Sequence, residues 1–70
     1  MTYELWDLTS RNMIDWFEEQ EIALEAVQAY LAADEAELVL LVVRENSGTI
    51  VMSSTGPKLV DWARQLTAAS

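Results

Sequence analysis

Carboxylates are the reactive groups this sequence supplies in number. Of its 70 residues, twelve are Asp or Glu and four are Lys or Arg, and there is no His and no Cys. Ser and Thr hydroxyls therefore have no imidazole to activate them, and no thiolate nucleophile exists. The usual zinc ligands are missing as well. Carboxylates alone could do acid–base work or hold a divalent cation. Glu18, Glu19, Glu21 and Glu25 fall on or near one segment, where Glu21 and Glu25 share a helical face. Asp34, Glu35 and Glu37 form a second group. Neither has the spacing of an EF-hand loop, which needs a central Gly and a terminal Glu. A charge run is ordinarily a solvated face. No catalytic residue, metal or cofactor is expected, and the chain reads as a non-enzyme.

Asp7 and Asp15 are less ordinary, because each stands in an apolar segment. Two adjacent carboxylates would raise one pKa. The structural reading puts Asp7 at a turn, accepting from backbone amides, and Asp15 near a sheet edge. Ser54-Thr55-Gly56-Pro57-Lys58 could hold an anion at a helix N-terminus, but it lacks phosphate-loop glycines and reads as a plain N-cap. Tyr3, Trp6, Trp16 and Tyr30 could stack on bases. A formal net charge of −8 argues against a nucleic-acid partner. It argues equally against an anionic membrane surface. The same charge would steer a basic protein toward the chain, or serve only to keep a small apolar domain soluble.

Those side chains must be placed by one small domain, residues 1–70. Tyr3 to Leu8 and Met13 to Phe17 read as a β-hairpin around Thr9-Ser10-Arg11-Asn12. A helix is expected from roughly Glu19 to Ala32, with Ala23, Ala26, Val27, Tyr30 and Leu31 as its apolar stripe, though no residue suited to the N-cap precedes it. Glu37 to Arg44 reads as a central strand, apolar on both faces. Glu45-Asn46-Ser47-Gly48 is a turn and Thr49 to Ser53 the returning strand. A second helix opens at Pro57, with Thr55 or Gly56 as its cap and Leu59, Ala63 and Leu66 inside. Its Ala68-Ala69-Ser70 tail is expected to fray. The expected fold is α+β, order β-β-α-β-β-α: a four-stranded antiparallel sheet with two helices on one face.

Two helices cover one face of such a sheet. With a three-residue first turn, Tyr3, Leu5, Met13 and Phe17 share one face, and Glu4, Trp6, Leu8, Ile14 and Trp16 share the other. A two- or four-residue turn would mix these sets. Either way, the face away from the helices would carry aliphatic side chains and Trp. Contiguous apolar patches of that kind mark interfaces.

From Tyr3-Glu4-Leu5-Trp6-Asp7, through Asn12-Met13-Ile14 and Phe17, to the Ala23-Leu24…Val27 helix, the chain resembles a group of small bacterial proteins. Those open with a similar Tyr-Glu-Leu-Trp-Asp strand, a turn ending in Asn and an acidic helix. The resemblance covers the first half and fades after Leu38. Arg11 and Asp15 stand where the group's pattern would have Gly, and the resemblance implies no activity. In strand order the chain also resembles small antitoxins with a partial ribonuclease-H-like sheet. The expected function is an acidic protein-binding module, as a homodimer or an antitoxin-like or regulatory subunit. Trp6, Leu8, Ile14 and Trp16 would form its interface, and Glu18, Glu21 and Glu25 would steer a basic partner. The alternative is a small-molecule ligand-binding domain, its pocket between sheet and helices or at a dimer seam and lined by Tyr3, Phe17 and Tyr30. The opening residues have no basic-then-apolar leader pattern, and the longest apolar run, Leu38 to Val43, is far short of a bilayer span, so a cytoplasmic protein is expected.

Overall fold

The computed structural model describes residues 1–69. β1 (Thr2–Asp7) and β2 (Asn12–Phe17) form a hairpin, followed by α1 (Gln20–Ala32). β3 (Val39–Arg44) and β4 (Ile50–Ser54) form a second hairpin, followed by α2 (Pro57–Ala69). The β-β-α-β-β-α order and the α+β class are those expected from the sequence. The sheet order is β2-β1-β3-β4, so the two hairpins join through antiparallel pairing of β1 with β3. Central strands are flanked on both sides and suit the Val- and Leu-rich run of β3, whereas β2 and β4 are edges. Of the expected Ala68–Ser70 tail, Ala68 and Ala69 belong to α2 and Ser70 lies outside the described residues.

Register sorts the sheet into two faces. Tyr3 lies opposite Val43 and Leu5 opposite Leu41. These residues and Val39 meet Ala23 and Val27 of α1 and Leu59 and Ala63 of α2 in one buried cluster. Both helices therefore pack on the same side of the sheet. Leu5, Leu41, Leu59 and Val27 are fully buried, each contributing about 1.5–3 kcal/mol of transfer free energy. Phe17, Tyr30, Leu31 and Trp62 pack against this cluster from its margins. Principal extents of 33 × 32 × 17 Å are those of a plate one sheet and one helical layer thick.

The connections follow from particular residues. Glu19 occupies the N-cap of α1 without a side-chain cap bond, as expected where Ser, Thr, Asp and Asn are missing. At its other end, the Glu35 amide donates to Tyr30 O and the Asp34 amide to Leu31 O, a Schellman ending that puts Asp34 at φ 59°. Gly48 turns β3 into β4 at φ 92°. At the start of α2, Gly56 O accepts from the Leu59 and Val60 amides. The Thr55 hydroxyl does not cap that helix. It points back to Val39 O at 2.6 Å and Ala36 O at 3.3 Å, tying the α2 entry to the loop before β3.

Candidate functional site

The face of the sheet turned away from the helices is built by alternation along β1 and β3. Glu4 lies opposite Val42 and Trp6 opposite Leu40. On the outer side of β1, Trp16 lies opposite Glu4 and Met13 opposite Trp6. At the far edge, Ile50 lies opposite Arg44 and Ser53 opposite Val42. Trp16 and Ile50 are each 52% exposed and Met13 is 42% exposed. Trp6 and Leu40 are half-buried. Val42 is buried at 6% by its neighbours on this face, although it stands outside the helix-side cluster.

Polar groups in the middle of this face are satisfied within the chain. Trp6 Nε1 donates to Glu4 Oε1 at 3.1 Å. Arg44 Nε donates to Glu4 Oε2 at 3.1 Å, forming an ion pair, and Arg44 Nη1 donates to Gly48 O at 2.9 Å. Both Glu4 oxygens are thus occupied and the charges cancel locally. Alternation put Glu4 beside Trp6 in advance. Its pairing with Arg44 needed the β1–β3 register, which the sequence does not specify.

The expected interface residues divide. Trp6 and Trp16 lie on the open face. Leu8 is exposed just beyond β1, where its amide donates to Leu38 O at 3.0 Å. Ile14 does not join them. The Leu5–Asp15 pairing and everything beyond it keep the register of a three-residue turn, but a bulge shifts the turn end so that Met13 pairs with Trp6 and Asn12 with Asp7. The turn then spans Leu8, Thr9, Ser10 and Arg11. Met13 moves to the open face, and Ile14 lines an open recess of about 460 Å³ with Asp7, Tyr30, Leu38 and Val39. A bulge places two residues against one, so the side-chain alternation changes across it.

Of the residues expected to line a ligand pocket, Tyr3 is buried, Phe17 and Tyr30 are partly buried, and Tyr30 also lines the recess beside Ile14. Tyr3 belongs to the buried cluster, its hydroxyl donating to Gln20 Oε1 at 3.3 Å, and Phe17 and Tyr30 pack against that cluster. Glu18, Glu21 and Glu25 are exposed, Glu18 in the connection from β2 to α1 and Glu21 and Glu25 on α1 itself. Asp7 and Asp15 act separately. The Thr9 amide and Ser10 hydroxyl donate to Asp7 at 2.9 and 3.0 Å and hold its carboxyl below its ordinary pKa, the Thr9 amide contributing most. Asp15 Oδ1 accepts from the Trp16 amide at 2.8 Å on the edge strand. Among the described residues, no group of three or more acidic side chains is arranged to hold a metal ion, and no helix is long and apolar enough to cross a membrane.

No family model, curated protein or solved structure matches this chain.

Proposed function

We propose that this chain is a non-catalytic, acidic protein-binding module. Its open sheet face is a protein interface, formed by itself or with another protein. Its acidic helical side, with Glu18, Glu21 and Glu25, meets a basic partner, as an antitoxin-like or regulatory subunit would. The observation that carries the reading is the exposure of Trp16, Met13 and Ile50 around a buried Val42 on one uncovered face. Large aromatic and Met side chains are what interfaces concentrate, and contiguous apolar patches are rare on lone soluble domains. The acids of α1 lie on the other side of the plate, so a basic partner drawn to them would not compete for the sheet face.

A photo-crosslinking amino acid in place of Trp16, in the native host, tests the reading. A discrete crosslinked protein product is expected from position 16, distinct from any product at Ile22, a 46% exposed residue of α1 that neighbours Glu21 and Glu25 and would report the basic partner instead. No product from position 16 would contradict it.

A further inference from the structure

We infer that a second copy of this chain covers the open face, sheet against sheet about a two-fold axis, with each Glu4–Arg44 pair kept inside its own chain. This rests on the reading of that face as a protein interface and names its occupant. Charge selects the occupant. Each copy carries −8, so two copies repel wherever their acids meet. Among the strand residues of the open face, Glu4 is the one acid and Arg44 the one base, and they neutralise each other at 3.1 Å. It is therefore a patch on which two such chains can meet without bringing net charge together. A basic partner finds no unpaired carboxylate there and would bind elsewhere. The desolvation cost of covering this face is also lowered. Both oxygens of Glu4, the indole N–H of Trp6 and two nitrogens of Arg44 have partners within the chain. Such internally satisfied polar groups can be buried far more cheaply than open ones.

The other routes to self-association are obstructed. β2 and β4 are the free edges of the sheet, and each carries a bulge, near Ile14 and near Val51. Asp15 also occupies the Trp16 amide on the β2 edge. Bulges and edge charges of this kind block strand addition. Face-to-face packing of two sheets, by contrast, interdigitates their side chains in a layer about 10 Å thick. Four strands of about six residues span roughly 20 × 20 Å. Two such footprints total about 800 Å², below the range of stable complexes and in that of weak ones, so the expected dissociation constant is about 1–100 μM.

Sedimentation equilibrium of the full chain from about 1 to about 200 μM tests this. The wild type is expected to populate a dimer, and raising salt is expected to tighten it, because screening removes repulsion between like-charged copies. Trp16→Glu and Ile50→Glu each place a charge in the seam twice over, so each weakens the dimer at least about 100-fold with an unchanged far-UV circular dichroism spectrum. Ile22→Glu, on α1, leaves it unchanged. A wild type that stays monomeric at about 200 μM, or a dimer broken by Ile22→Glu and not by Trp16→Glu, overturns the inference. If the monomer then crosslinks from position 16 to a different protein, the interface reading stands and only its occupant is wrong. If it crosslinks to nothing, both fall.

Discussion

Arg11 holds φ at 61°, in the left-handed region where a Cβ meets the following carbonyl. Its amide closes the first turn on Asp7 O at 2.7 Å, and the Asp7 carboxylate fixes the same turn from the other side. Gly is the residue such a position favours. The left-handed cost for a non-Gly residue is roughly 1–2 kcal/mol, partly offset because Gly gains freedom in the unfolded chain. Arg11→Gly is therefore expected to stabilise the fold by about 0.5–1 kcal/mol in urea unfolding. Arg11→Ala, which removes the same charge but keeps the Cβ, should not. Equal stabilisation by both would move the explanation from backbone to charge. At this scale the roles of Asp7 and of Gly48 were legible, because turn chemistry is local. Glu4 was not recognised as the hub of a hydrogen-bonded pair, because both of its partnerships cross or skip along strands whose pairing the sequence leaves open.

Elements were legible where periodicity is strong. Both helices and both hairpins stand within a residue or two of their expected bounds, because α1 has helical apolar spacing and the β3 run is β-branched and too short for a buried helix. The face assignment failed at one place only. Alternation is blind to a bulge, and the shift between Leu5 and Trp6 exchanged Met13 and Ile14 across the sheet. Thr55 shows a similar limit, since cap chemistry was foreseen and a tertiary bond was found. Its hydroxyl joins α2 to the Ala36–Val39 segment, and nothing in the local sequence points there. Thr55→Val keeps the shape and removes the donor. It is expected to cost about 1–2 kcal/mol, lowering the thermal midpoint by roughly 4–16 °C, which calorimetry would measure. An unchanged midpoint would mean that water replaces the hydroxyl at no cost.

The whole molecule is a two-layer plate with a shortage of cover. One helical layer shields the Tyr3–Leu5–Leu41–Val43 side, and the opposite side carries Trp16, Met13, Ile50 and Val42 with no layer above them among the described residues. A small domain draws only about 3–5 kcal/mol of net stability from one core. There is no Cys to form a disulfide, and association is one way such a domain extends its core. Burying a few large side chains at about 1.5–3 kcal/mol each would match what the isolated fold supplies. On the reading proposed above, the acids of α1 would meet a basic partner and the neutral sheet face would meet a second copy. The most direct measurement is an isotope-filtered nuclear Overhauser experiment on a mixture of labelled and unlabelled chains. Contacts between copies are expected from the Trp16 ring and the methyl groups of Met13, Leu40 and Ile50. Intermolecular contacts involving Ile22 in their place, or none at a concentration where every chain is folded, would contradict the account.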